Sequence, residues 1–160
     1  MKIQVWMVGK TSQDFVNRGL TEYEGRISHY LPFEIQIIPG IKNAKHLSHE
    51  QIKEKEGEEN LNLIETWDYI VLLDEHGQEF TSVEFSEYLE KKMQLVPKSL
   101  VFVIGGAYGF SPEVLEAAQE KIALSKMTFS HQLVRLVFAE QLYRALTILK
   151  REPYHHETIS

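Results

Sequence analysis

Three glycines in VIGGAYGFS, at 105, 106 and 109, follow four apolar residues and precede Ser111-Pro112. A strand that ends in bare backbone lets a flat ligand lie against the main chain, where amides and carbonyls can read its edge. The spacing argues against the two common phosphate cradles. The GxxxxGK[ST] order with its lysine is missing, and GxGxxG needs a different spacing in an earlier βαβ unit. A tight turn before a capped helix would use the same glycines for dihedral reasons alone, so the loop by itself leaves ligand and turn both open. A second set of chemistry-bearing residues lies near the end of the chain: Arg135, Tyr143, Arg144 and Lys150 on an amphipathic stretch, then Tyr154 and His155 in PYHH. Arginine forks suit phosphate or a base edge. A tyrosine ring can stack on a base, and an imidazole can transfer a proton or orient a ring. His131 stands just before the same stretch. The His, Asp and Glu residues show no compact ligand spacing, so no metal is expected. The chain has no cysteine, which excludes disulfides and thiolate chemistry and fits a reducing, cytoplasmic setting.

The elements that must position these residues alternate. Strands are expected at 2–8, 33–38, 69–73 and 99–104, with a short one at 122–124. Helices are expected at 14–28, 48–64, 82–93, 112–119 and 131–150. Thr11 or Ser12 is the expected cap of the first helix. Ser48 and Gln51 have capping-box spacing, and Ser111-Pro112 is the clearest helix start in the chain. Residues 39–47 read as loop, 74–77 as a turn and 151–160 as a polar tail. Uninterrupted apolar strands joined by helices predict an α/β fold: a mainly parallel sheet covered on both faces, in a single domain over 1–160. Ligands of such sheets sit beyond the carboxyl ends of the strands, here Leu73-Asp74 and Ile104-Gly105-Gly106.

The net charge is −6, but it is unevenly spread. Residues 49–97 carry four Lys/Arg against thirteen Asp/Glu, whereas 126–156 carry five against two, with three histidines. A large anionic partner would prefer the C-terminal end. The acidic run 50–59 reads as a solvated helix face turned away from such a partner. No segment approaches the eighteen or so apolar residues that a membrane span needs.

Taken together, the opening strand-Gly-Lys, KEKEG at 53–57, LLDEHG at 72–77, IGGAYG at 104–109, LSKMTFSHQLVR at 124–135 and the closing YRA and PYHH strongly resemble one family. It is the RlmH-type family of large-subunit ribosomal RNA pseudouridine N3-methyltransferases, minimal members of the SPOUT superfamily. The resemblance covers essentially the whole chain. It implies a mostly parallel sheet whose C-terminal part forms a deep trefoil knot, a homodimer, and S-adenosyl-L-methionine as cofactor. It also implies assembled ribosomes as substrate, with no DNA or membrane partner.

The resemblance further implies a cofactor site at Leu73, Gly105, Leu124, Ser125, Lys126, Met127, Thr128 and Phe129. Leu73, Leu124, Met127 and Phe129 would form an apolar wall, and backbone groups at 105 and 124–129 would read adenine and ribose. Gly106 and Gly109 would mainly shape the turn. Arg135, Tyr154 and His155 are the implied substrate-handling residues, with His155 moving a proton or orienting the uracil ring. One departure is Ser130, where the family generally has proline; serine there can cap the following helix through the Leu133 or Val134 amide. Two rival readings remain. One is a transfer-RNA methyltransferase of the same superfamily, which usually needs an added RNA-binding part. The other is a ribosome-associated protein that keeps the pocket without turnover.

Overall fold

Val5 and Met7 bury their side chains on one side of the first strand, while Trp6 and Val8 bury theirs on the other. A strand apolar on both faces must lie inside a sheet that is covered twice. The computed structural model describes residues 1–39, 46–63 and 69–156. Its elements are β1 (Lys2–Val8), α1 (Asp14–Ser28), β2 (Phe33–Ile38), α2 (His49–Leu63), β3 (Tyr69–Glu79), α3 (Ser82–Leu95), β4 (Ser99–Ile104), α4 (Pro112–Ala117), β5 (Glu120–Ala123) and α5 (Leu133–Leu149). The strands lie in the order β2-β1-β4-β3-β5, and their pairings are parallel. All six residues of the central β4 are buried.

One face packs against α1, α3 and α5, with Val16, Leu20, Phe85, Leu89, Phe138 and Leu142 meeting Val5, Met7 and Phe102. The Phe102 and Phe138 rings sit 5.0 Å apart at this centre. On the other face Val114 of α4 packs on Trp6, Ile70 and Val103. The helix α2 packs against α4. No helix of the described residues is long and apolar enough to cross a membrane.

Most expected elements are present, and the differences have local causes. The expected cap of α1 is absent. Thr11 Oγ1 instead accepts from Arg135 Nη1, and Ser12 donates its amide to Gln132 Oε1, so both residues serve the distant α5. The Ser48–Gln51 box is made as expected, at 2.9 and 3.1 Å. Ser111 caps α4 through the Val114 amide. A further box, Thr81 with Glu84, starts α3 and was legible as T-x-x-E.

Residues 74–77 are not a turn that ends β3. The strand continues to Glu79, and its pairing with β5 breaks between Leu73 and Gln78, so the intervening residues arch out of register. Gly77 permits this, because a Cβ there would fall 2.6 Å from the Ile122 backbone. The short last strand runs over Glu120–Ala123, two residues earlier than expected. Residues 40–45 of the expected 39–47 loop, the end of the expected second helix at Ile64 and the tail end 157–160 lie outside the described residues.

Candidate functional site

The carboxyl ends of β3, β4 and β5 come together around one cleft of about 700 Å³. Its three walls are the arch Leu73–His76, the loop Ile104–Phe110, and Ala123–Val134 with the exception of Lys126, Gln132 and Leu133. The parallel register aligns them, since Leu73 pairs with Ile104 on one side and with Ile122 on the other. In the first wall Asp74 Oδ1 accepts from the His76 amide at 2.8 Å, which holds the arch. In the second, Gly106 and Gly109 close a small bridge with an amide-to-carbonyl bond of 3.2 Å. Gly109 has φ +82, a conformation that favours glycine.

The two other loop glycines are needed for space. A Cβ on Gly105 would stand 3.1 Å from the Phe110 ring, and one on Gly106 would stand 2.7 Å from a Glu56 carboxylate oxygen. Gly106 takes part in the turn through its carbonyl, and its missing Cβ also makes room for a side chain of α2; neither 105 nor 106 has positive φ. His49 of the same helix stacks on Tyr108 at 3.9 Å.

In the third wall Ser125 Oγ accepts from the Met127 amide at 3.0 Å, which folds the loop on itself. Met127 is 79% exposed, an apolar side chain at the rim with no cover of its own. Ser130 Oγ accepts from the Leu133 amide at 3.0 Å and Ser130 O from the Val134 amide at 3.0 Å, so this serine begins α5 in the manner expected of a cap. Seven of the eight expected cofactor residues line the cleft; Lys126 is exposed and is not among them. The volume matches a drug- or nucleoside-sized ligand, and Leu73, Ile104, Leu115, Leu124 and Phe129 supply apolar surface beside bare glycine backbone. These residues fit an adenosyl group.

The structure corrects the expectation for Arg135. It is 0% exposed and turns into the molecule. Its guanidinium donates to Val8 O (2.7 Å), Gly9 O (2.8 Å), Thr11 Oγ1 (2.7 Å) and His131 O (3.2 Å). Burial lowers its pKa, and no carboxylate compensates among these partners. Such a group cannot meet a phosphate without leaving four acceptors bare. It positions the β1–α1 loop instead, together with Gln132, whose Nε2 donates to Lys10 O at 3.1 Å. His131, next to both, stays exposed and lines the cleft.

Tyr154 and His155 form a cluster elsewhere. Glu140 accepts from Tyr154 OH at 3.0 Å and from Arg144 Nε and Nη2 at 3.1 and 2.5 Å. Arg144 Nη1 lies 3.1 Å from His155 Nδ1. An arginine can only donate, so Nδ1 accepts and the ring proton sits on Nε2. In this state His155 presents a donor. The Arg144 guanidinium also lies over the Tyr154 ring, 4.8 Å from its centre, and Tyr143 packs edge-on against the same ring. Burial, and then hydrogen bonding with Tyr23 and Glu140, pushes the Tyr154 phenol up, so it stays neutral.

None of Arg144, Tyr154 and His155 lines the cleft of its own chain. Glu140, which holds them, lies six residues beyond the cleft residue Val134, about 9 Å along the helix axis and on a different side. Glu140 was missed in the sequence, although its i, i+4 spacing to Arg144 was a usable signal. Glu56 was missed because KEKEGEE reads as a solvated face; its burial, with that of Ile52, Gly57 and the Glu59 Oε2 atom, corrects that expectation for one side of the helix.

The profile of the family described as "Predicted SPOUT methyltransferase" matches residues 1–155. Among similar proteins, a "Ribosomal RNA large subunit methyltransferase H" of Parabacteroides distasonis is 60% identical over 98% of this chain and 100% of its own. Proteins of the same description from Phocaeicola vulgatus and Bacteroides fragilis are 55% and 52% identical, again over 98% of this chain and all of theirs. The cleft residues and near-complete coverage agree with this similarity, and the chain belongs to the SPOUT methyltransferases and, among them, to the ribosomal RNA large subunit methyltransferase H family.

Proposed function

We propose that the protein is an S-adenosyl-L-methionine-dependent methyltransferase that methylates N3 of a pseudouridine in large-subunit ribosomal RNA on the assembled ribosome. The observation that carries the reading is the gathering of Leu73, Gly105, Leu124, Ser125, Met127, Thr128 and Phe129 around one cleft at the strand ends. The cofactor supplies a sulfonium-activated methyl group. Leu73, Leu124 and Phe129 enclose the adenine, and the backbone at Gly105 and 124–129 reads its edge and the ribose. Acceleration comes chiefly from holding the target nitrogen in line and from a field that favours loss of its proton to solvent as the new bond to carbon forms. His155, with Nδ1 engaged by Arg144, orients a carbonyl of the uracil ring through Nε2–H. Tyr154 offers a neutral ring for stacking. Arg135 acts one step back, by holding the loop that carries Lys10 to the start of α5.

The chain works as a single domain in the cytoplasm and as a homodimer, in which the tail cluster of one subunit serves the cleft of the other. The separation of tail and cleft within one chain supports this pairing. The C-terminal part forms a deep trefoil knot. This reading is supported by a final helix that returns to α1 and α3 after the 124–131 segment has passed the ends of β3 and β4.

The test is transfer of labelled methyl to ribosomes lacking the modification, followed by nucleoside mapping. Label at N3 of a large-subunit pseudouridine is expected. Label on free transfer RNA with none on ribosomes selects a transfer-RNA enzyme, and cofactor binding without transfer to any RNA selects a non-catalytic protein.

A further inference from the structure

The glycine loop hides a carboxylate that none of the roles above uses. Glu56 lies on α2 and is 9% exposed. Its two oxygens lie 2.7 and 2.8 Å from where a Cβ on Gly106 would be. The carboxylate therefore fills the space immediately behind a residue that lines the cleft. Its Oε1 is buried and accepts no hydrogen bond among the described residues, and the same holds for Oε2 of Glu59, three residues further along α2. No salt bridge reaches either acid among the described residues; Lys53, one turn earlier on α2, also lines the cleft, but its ammonium pairs with Glu50 at 3.4 Å. Burial, and then the charge of Glu59, push the Glu56 carboxyl up.

A buried carboxylate without a partner is costly, and filling this space does not require one. A glutamine or methionine has similar bulk without the charge. Among the described residues no group of three or more metal-ligating side chains surrounds it, so a bound metal is not indicated. RNA has the wrong sign of charge. The occupant that complements an acid in this place is a small organic cation in the neighbouring cleft. The inference rests on the cofactor reading above, because S-adenosyl-L-methionine carries a sulfonium and an ammonium at its methionyl end. Gly106 has no side chain to insulate the acid from that cleft, and charges separated by little more than a backbone still attract across the low-dielectric protein side of the loop.

We propose that Glu56 is the anionic counter-group for the cationic methionyl end of the bound cofactor, acting through the unshielded glycine loop.

Calorimetric titration of the full chain and its Glu56→Gln variant with three ligands tests this. The ligands are S-adenosyl-L-methionine, S-adenosyl-L-homocysteine (which lacks the sulfonium) and 5′-methylthioadenosine (which lacks both cationic groups). Glu56→Gln is expected to weaken S-adenosyl-L-methionine about tenfold and to leave 5′-methylthioadenosine unchanged. A loss shared by S-adenosyl-L-homocysteine assigns the effect to the ammonium, and a loss confined to S-adenosyl-L-methionine assigns it to the sulfonium; either upholds the proposal. Equal losses for all three ligands, or no loss, overturn it. A wild-type chain that binds none of the three overturns the cofactor reading and this proposal with it. The ligand-free Glu56→Gln protein is expected to melt no lower than the wild type, because an amide replaces an unpaired acid. Glu56→Met gives the same readout should the amide variant be insoluble.

Discussion

Arg135 shows how one side chain can be well placed in sequence and differently employed in space. Its type and helical position suit a phosphate contact, yet its guanidinium is spent on Val8 O, Gly9 O, Thr11 Oγ1 and His131 O. Truncation strands these acceptors in the interior. Arg135→Ala is expected to lower unfolding stability by about 3 kcal/mol in urea titration, since each buried group left unpaired costs about 1–3 kcal/mol. An unchanged stability with a selective loss of RNA binding would restore the phosphate role. Ser130 is the complementary case, where the sequence expectation of a cap was met by its bond to the Leu133 amide. Ser130→Ala is expected to cost about 1 kcal/mol by the same measurement. Gly105 belongs to the same scale. A Cβ there meets the Phe110 ring at 3.1 Å, a contact that a side chain can relieve by a small shift. Gly105→Val is therefore expected to abolish binding of S-adenosyl-L-methionine while the protein still folds, as read by calorimetry and circular dichroism. Equal loss of fold and binding would leave the loop as a plain turn.

At the scale of elements, α3 is fastened to β3 and β5 by a shared carboxylate. Glu120 of β5 accepts from Lys92 and Tyr88 of α3 and from Tyr69 of β3. Burial opposes ionisation of Glu120, but the hydrogen bonds from Lys92, Tyr69 and Tyr88 outweigh it and hold the carboxyl below its usual range. Burial likewise opposes the charge on Lys92, and its bonds to Glu120 and Tyr69 outweigh that and raise it. Burial, then hydrogen bonding to Glu120, pushes the phenols of Tyr69 and Tyr88 up.

These signs fix a pH window. A depressed carboxyl contributes stability above its unfolded value and loses it as pH falls through the lower folded value. Raised amine and phenol groups contribute stability below their unfolded values and lose it as pH rises through the higher folded ones. Glu120→Gln is expected to lower stability by about 2 kcal/mol at neutral pH and to flatten both limbs of the stability–pH curve. Wild-type limbs in the variant would show that the cluster contributes nothing. This fastening was invisible in the sequence, because Glu120 lies 28 residues from Lys92 and 51 from Tyr69.

At the scale of the whole molecule, the cleft and the tail are the two halves of the proposed chemistry, and one chain holds them apart. The seven cleft residues are assembled by the strand ends. Tyr154, Arg144 and His155 are assembled by Glu140 further along α5. If two subunits share each site, a Gly105→Val chain mixed with a His155→Ala chain regains methyl transfer that neither homodimer shows, because one hybrid site has both halves intact. No recovery after subunit exchange, verified by native mass spectrometry, would mean that each chain works with its own tail.

Local information settled what depends on neighbours in the chain. Apolar runs at 2–8, 69–73 and 99–104 dictated buried parallel strands, because strands covered on both faces have no polar side to show. Ser48, Ser111 and Ser130 declared their helix starts, because a cap binds an amide only a few residues away. The family resemblance carried by the motifs around the strand ends, and not the spacing of the glycines, named seven residues that line the cleft. Tertiary structure alone decided where the long-range partners fall. Thr11 left its expected cap for Arg135, Gly77 let β3 run on past its apparent end, and Glu56 was drawn from an acidic stretch to lie behind Gly106. The physical reason is common to the three: burial and charge depend on what the rest of the chain brings within a few ångströms, and that is set by the packing of distant segments.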